Sequence, residues 1–298
     1  MTLFFGCSAS PEHDAAGDPA QGAPVASAES PLLAPGTVET LVDGIASAEN
    51  SMFTSTDRLF ISGDDGIYEI TRSGSTASKT LLTASSGCKF SGLSEAPGGT
   101  VYAGCYDGTN SKVFAAPLNA APAFKAIYDL PGVALANGVA ADAGHHVYVA
   151  DSTHGDILRL TVDAANPFSV TRSETFSSGN LFPNGLKVFD SSLYFTDFFS
   201  VKRLAVGADG TAGTITTLNS QLTFLDDLYV DASSIYVANY LFGTLELLTP
   251  GGYDVFDTAA ILKGPSSVVP AKGRLGLTNL DVIVTEKSAN RVSVFHAR

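Results

Sequence analysis

Glu49, Asn137, Asn184 and Asp226 lie far apart along a chain of 298 residues, yet each opens the same short pattern. A polar residue, usually with a small one after it, leads into a strand, a turn and a second strand with an aromatic or apolar centre. Together the four offer two carboxylates and two amide carbonyls, with no His or Cys among them. Hard oxygen donors of this kind suit calcium, suit magnesium less well and disfavour zinc. Two other readings compete. One is a polar channel that holds only water. The other applies to Asn137-Gly138 and Asn184-Gly185, because Asn-Gly is a favoured type I′ hairpin dipeptide. Against the hairpin, each segment has its own turn further on, at Asp142-Ala143-Gly144 and Phe189-Asp190-Ser191, and the matching Asp226-Asp227 is no hairpin dipeptide.

Bringing these residues to one place requires a repeat arranged around an axis, and the chain carries a sixfold one. Its second strands are Leu59-Phe60-Ile61, Val101-Tyr102-Ala103, Val147-Tyr148-Val149, Leu193-Tyr194-Phe195, Ile235-Tyr236-Val237 and Val282-Ile283-Val284. A third strand follows each, such as Ile67-Tyr68-Glu69-Ile70 or Ile157-Leu158-Arg159-Leu160, and weaker fourth strands follow some of these. Counting back from the second strands gives Glu49, Ser91, Asn137, Asn184 and Asp226. In the sixth repeat, which carries an insertion over residues 271–281, the matching residue is Ser267. Their spacing, 41 to 47 residues, is that of a four-stranded propeller blade and too long for a leucine-rich repeat.

The expected fold is therefore all-β, a six-bladed β-propeller over residues 36–298. The sixth repeat ends after its third strand, so Val38-Glu39-Thr40-Leu41-Val42 is expected to supply the outer strand and close the ring. In a propeller the first strand of each blade lines the central channel, which makes the four oxygen-bearing residues a ring at one mouth. Asp151, Asp197, Asn239 and Glu286 fall one strand further out, where they can back the ligands. No ten-residue helical period separates the strands, which excludes a parallel α/β fold.

With 17 Lys and Arg against 30 Asp and Glu, the net charge of −13 argues against nucleic acid and anionic lipid as partners. A small molecule met by a monomer is the expected partnership. No apolar run reaches the ~18 residues a spanning helix needs. Residues 1–7, Met-Thr-Leu-Phe-Phe-Gly-Cys, resemble the end of a bacterial lipoprotein signal, although the apolar stretch is short and no basic segment precedes it. Residues 8–35 are rich in Ala, Pro, Gly and Ser, as a flexible tether from a lipidated Cys7 would be. The alternative is an ordinary disordered tail. On the lipoprotein reading the protein sits in the cell envelope or periplasm, and membrane contact runs through the lipid on Cys7 alone. Cys88 and Cys105 flank a hairpin that turns at Ala96-Pro97-Gly98-Gly99, which sets them nearly opposite each other. An exported protein would oxidise them to a cross-strand disulfide; two buried free thiols are the other outcome.

The segments Glu49-Asn50-Ser51-Met52-Phe53, Ala136-Asn137-Gly138-Val139 and Pro183-Asn184-Gly185-Leu186, each before its second strand, resemble the senescence marker protein/gluconolactonase family. That family includes regucalcin and diisopropyl fluorophosphatase and, more distantly, the paraoxonases. Val237-Ala238-Asn239-Tyr240, Thr244-Leu245-Glu246 and the stretch from Ile283-Val284-Thr285-Glu286 to Asn290-Arg291-Val292 are similar to the fluorophosphatase branch. The resemblance implies calcium held by Glu49, Asn137, Asn184 and Asp226, and hydrolysis of lactones or phosphotriesters with Asp226 as base or nucleophile; small lactones or related esters, with Asp226 as general base, are the expected chemistry here. Lys89 and Ser91 stand where the gluconolactonase branch has Arg-x-Asn for substrate oxygens. Lys lacks the planar fork of Arg, so sugar-lactone specificity does not carry over. Val269 replaces a His of the fluorophosphatase branch. His145, His146 and His154 are expected in loops away from the metal. A non-catalytic, calcium-stabilised propeller that binds a ligand is the alternative reading.

Overall fold

A computed structural model of the chain describes residues 36–297, with the exception of 208, 221–223, 257, 259 and 260. The segments read as leader and tether, and Cys7 with them, lie outside the described residues. Among the described residues, 24 strands form six four-stranded antiparallel sheets, the six blades of a propeller. Blade one covers residues 51–84, blade two 89–130, blade three 136–177, blade four 183–220 and blade five 225–256. Blade six takes three strands from residues 265–296 and its outer strand, Val38–Asp43, from the other end of the domain.

Burial follows strand position within a blade. The second strands Leu59–Gly63 and Thr100–Tyr106 are buried on both faces, so they read as continuous apolar runs. The outer strands Thr76–Ala84 and Ala212–Ser220 are largely solvated and rich in Thr and Ser. The core lies between neighbouring blades. Phe60 and Ile67 of blade one pack with Phe90, Leu93 and Val101 of blade two, and Tyr102 and Val113 of blade two pack with Val139 and Val149 of blade three.

Closure occurs as the sequence suggests. Val38 pairs with Phe295 and Asp43 with Arg291, with a bulge between Thr40 and Val42. Leu41 and Val42 are buried with Leu59, Ile61, Val292 and Val294 at the seam of blades six and one. Each such side chain contributes roughly 1.5–3 kcal/mol on burial. In blade two the hairpin closes at Ala96 and Thr100 around Pro97-Gly98-Gly99, and the strand carries a bulge between Phe90 and Leu93 that brings Cys105 opposite Phe90. Cys88 and Cys105 form a disulfide, Cα to Cα 5.6 Å, so the alternative of two free thiols is set aside.

Candidate functional site

The inner strands of blades two to six share one irregularity, an extra residue opposite the second strand. Ala136 pairs with Asp151 and Val139 with Val149, which leaves Asn137 and Gly138 opposite Ala150 alone. Asn184-Gly185, Asp226-Asp227 and Ser91-Gly92 sit in the same bulge of their blades. A bulge re-aims side chains, here toward the axis. In blade one Glu49-Asn50 takes this place just before the inner strand Ser51–Phe53, with Glu49 N–H donating to Ser62 O at 2.8 Å. In blade six Pro265 pairs with Glu286 and Val268 with Val284, so the matching residue is Ser266. Ser267, the residue counted from sequence, is one position further in. The expectation misses by one because the insertion over residues 271–281 breaks the count back from the second strand in this blade alone.

Each bulge therefore contributes one residue to the mouth and one to a layer beneath it. The mouth layer is Glu49, Ser91, Asn137, Asn184, Asp226 and Ser266, all buried. The layer below holds Asn50, Asp227 and Ser267, and glycine in the other three blades. Asp227 Oδ2 accepts from Asn50 Nδ2 at 2.7 Å and from Ser267 Oγ at 2.9 Å, while Lys187 Nζ stands 3.6 Å away. These side chains cross the axis and plug the channel. The glycines make room for close approach: a Cβ on Gly185 would lie 2.4 Å from Asp227 Oδ1, and one on Gly138 would lie 2.1 Å from Asn184 O. The Asn-Gly pairs are thus strand bulges with a packing reason for Gly. The hairpin reading does not hold.

The ring is pinned from blade to blade by hydroxyls. Ser62 Oγ donates to Ser91 O at 2.5 Å and Thr285 Oγ1 to Glu49 O at 3.1 Å, and Thr196 Oγ1 donates to Asp226 O. Ser62, Thr196 and Thr285 occupy one equivalent place on their second strands, so each aligns the mouth residue of the next blade. Ser91 Oγ donates to Ala136 O at 2.6 Å, and Ser266 Oγ to Ala48 O at 2.7 Å. In this structure Ser91 therefore ties blade two to blade three, with its hydroxyl engaged on backbone.

Electrostatically the mouth centres on Glu49 and Asp226. Burial pushes the Asp226 carboxyl well above the usual carboxylate range, the Glu49 charge adds to this, and a hydrogen bond from Asn184 partly offsets it. Burial likewise raises Glu49, against the pull of Lys287. Lys287 ion-pairs with Glu49 Oε2. Burial disfavours the Lys287 charge, but Glu49 and Asp226 outweigh that and hold the ammonium above the ordinary lysine range. Tyr106 is raised by burial and also feels Lys287 and Glu49. Lys89, expected to meet substrate, stands on the rim, half exposed, with Nζ 2.8 Å from Asp64 Oδ2. Among the described residues no group of three or more His, Cys, Asp or Glu side chains is placed to hold a metal.

Sequence reasoning missed Lys287. It belongs to a second ring that the same counting would have revealed: the residue that follows the second-strand partner of the last pair before the bulge is Tyr106, Ser152, Phe198, Tyr240 and Lys287 in blades two to six, and Asp64 is its equivalent in blade one. On the rim beside Asn184 and Asp226, Phe198 meets Phe224 at 4.1 Å and Phe182 at 5.8 Å between ring centroids, and Leu225 N–H donates to Phe198 O. Leu181, Leu241 and Phe242 are exposed on the same side, which gives this arc an apolar surface.

Of the residues expected to back the ligands, Asp151 accepts the N–H groups of Thr153 and His154, Asp197 that of Phe182, and Glu286 that of Lys263. Asn239 accepts from Phe242 N–H. All four brace the loops around the mouth. His146 is bound to Asp142 in the hairpin between the first two strands of blade three, at the opposite face. His154 is not away from the mouth as expected: it lies in the loop that follows the rim residue Ser152, its Nδ1 2.7 Å from Asp151 Oδ2.

No family model matches the chain, and no curated protein matches its sequence. Solved structures match its fold. A luciferin-regenerating enzyme superposes with a TM-score of 0.62 at 15% identity, over 87% of this chain and 94% of that chain. The PQQ-bound aldose sugar dehydrogenase of Streptomyces coelicolor gives 0.59 at 16% identity, over 87% and 97%. A chain of a nidogen/laminin complex gives 0.60 at 17% identity, over 77% and 85%. At such identities the likeness is one of fold, and a fold of this kind hosts unrelated activities.

Proposed function

We propose that the channel mouth is a calcium-dependent hydrolytic site for small lactones or related esters, as the resemblance to the gluconolactonase family implies. The observation that carries this reading is the convergence of Glu49, Asn184 and Asp226 in one buried ring, where Asn184 hydrogen-bonds Asp226 and the Glu49 charge raises the proton affinity of Asp226. The donor set suits a hard divalent cation: its atoms are oxygens, and its two buried negative charges face a single ammonium, that of Lys287. Glu49, Asn137, Asn184 and Asp226 would hold the ion. Bound calcium would supply a Lewis acid that polarises the substrate carbonyl.

Asp226 is the general base. Burial and the neighbouring Glu49 charge make it more basic than an ordinary carboxylate, which favours proton abstraction from water. The water oxygen bonds to the acyl carbon, the ester C–O bond breaks, and the alkoxide leaving group recovers the proton from Asp226. Tyr106, kept protonated by burial, stands at the rim as a hydroxyl donor for a substrate oxygen, with Lys89 beside it. Phe182, Phe198 and Phe224 offer an apolar wall to the rest of the substrate. We assign the protein to the cell envelope or periplasm, as a monomer held by lipid on Cys7; the Cys88–Cys105 disulfide supports an oxidising compartment.

A panel of lactones, aryl esters and phosphotriesters, assayed with calcium and with chelator, tests the reading. Wild type should turn over at least one class in a calcium-dependent way, and Asp226→Asn should abolish that turnover without loss of fold. Absence of calcium-dependent turnover across the panel would transfer the assignment to a non-catalytic, calcium-stabilised propeller. That second reading draws on the engagement of Ser91 with Ala136 and of Lys89 with Asp64.

A further inference from the structure

Lys287 is placed by a rigid piece of backbone. It begins the 3-10 turn Lys287–Ala289, its N–H donates to Gly264 O at 3.0 Å, and the turn ends at Asn290 in the left-handed region, φ 53°. Asn290 in turn grips the segment that leads to Glu49. Its carbonyl accepts from Gly44 and Ile45 N–H at 2.8 and 3.1 Å, and its side chain accepts from Ser47 N–H at 2.7 Å. The loop carrying the ammonium and the segment carrying the carboxylate are thus one clamped unit, and the Lys287–Glu49 ion pair is built into the seam between blades six and one.

We infer that Lys287 is the resident cation of the mouth: its ammonium neutralises Glu49 and shields Asp226 in the place a metal ion would take, so that calcium and Lys287 compete for Glu49. The inference rests on the reading of the mouth as a cation site and adds what sets its affinity. The ammonium offsets the negative charge of Glu49 and Asp226, and its removal leaves that charge uncompensated at the mouth. A divalent ion entering the native mouth must break the Glu49 pair and meet the displaced ammonium nearby, both of which weaken binding. Close charge pairs of this kind couple strongly. Removing the ammonium should therefore tighten calcium binding by tenfold or more, about 1.4 kcal/mol.

The test is calcium titration by calorimetry, with melting curves in chelator and in calcium, on wild type, Lys287→Met, Lys287→Arg and the double variant Glu49→Gln/Lys287→Met. Lys287→Met should melt lower than wild type in chelator, bind calcium at least tenfold more tightly, and gain more from calcium on melting. Lys287→Arg, which keeps the charge, should resemble wild type. The double variant, which removes both members of the pair, should fold and recover the chelator stability that the single variant loses. Equal calcium affinity in wild type and Lys287→Met would overturn the competition and leave the metal reading standing. Binding by Lys287→Met alone would support the inference and remove calcium from the native site. Absence of binding in every variant would overturn both.

Discussion

Asp226 and Asp227 are neighbours with opposite assignments, and substitution at Asp227 separates them. Asp227 Oδ2 is the acceptor for the Asn50 amide at 2.7 Å and the Ser267 hydroxyl at 2.9 Å, with Lys187 Nζ at 3.6 Å, in a layer shut off from solvent. Replacing Asp227 by Ala strands the Asn50 donor, which costs about 1–3 kcal/mol for a buried polar group without a partner. Ser267 loses less, because its hydroxyl already lies 2.9 Å from Ser51 Oγ. Lys187 is partly exposed and can turn its ammonium to water. Adding the void left by the carboxylate, the expected loss is roughly 2–4 kcal/mol, a large part of the ~5–15 kcal/mol of a typical domain. Asp227→Asn keeps an acceptor for Asn50 and should lose roughly a third of that or less. Urea denaturation followed by tryptophan-free probes, far-ultraviolet circular dichroism or tyrosine fluorescence, measures both variants. If Asp227→Ala lies within about 0.5 kcal/mol of wild type, the range of neutral surface substitutions, the plug is not what holds the channel.

Other outcomes follow from the same contacts. Because the Asp226 and Glu49 carboxyls bind protons more tightly when folded than when unfolded, their contribution to stability in chelator should be lost as pH rises through their raised values, and Asp226→Asn should remove part of that decline; calcium should flatten it in pH-dependent melting curves of wild type. A chain beginning at Gly36 keeps the closing strand and should stay folded and monodisperse by light scattering, whereas one beginning at Gly44 loses it and should aggregate; Leu41→Ala, a milder change at the same seam, should cost about 2–5 kcal/mol. Replacing Cys88 and Cys105 together by Ser, which opens a link between residues 17 apart, should lower stability by roughly 3 kcal/mol in denaturant titrations, and equal midpoints for the two proteins under oxidising conditions would contradict that value.

The blades and their closure were legible because a propeller repeats one hydrophobic pattern at a fixed interval, and the chain runs out one strand short of a sixth blade. Glu49, Asn137, Asn184 and Asp226 were legible as a ring for the same reason. Ser266 was not, since the insertion over residues 271–281 breaks the count in the sixth repeat; Ser267 occupies the counted position and points into the plug. The hydroxyl ties of Ser62, Thr196 and Thr285 were hidden as well. Ser and Thr are common in strands, and only the pairing shows that these three share one place and one acceptor type. Lys287 escaped because counting stopped at Glu286, the last residue of its strand, although the rim position follows it directly.

The bulge also explains why two kinds of residue alternate so regularly along the axis. Two successive residues stand opposite one, so the first turns to the mouth and the second into the channel, and each position answers to a different demand. At the first, only oxygen-bearing side chains occur. At the second, the volume of the channel is fixed by all six blades together, so a large residue in one is possible only where others are Gly. Asp227 reaches across to Asn50 because Gly185 beside it has no side chain, a Cβ there falling 2.4 Å from Asp227 Oδ1. The Asn-Gly pairs of blades three and four and the Asp-Asp pair of blade five are thus complementary solutions of one packing problem. A side chain at Gly185 should displace Asp227 from Asn50, and through the shared bulge should disturb Asn184 and Asp226 at the mouth, which couples the packing of the plug to the chemistry above it.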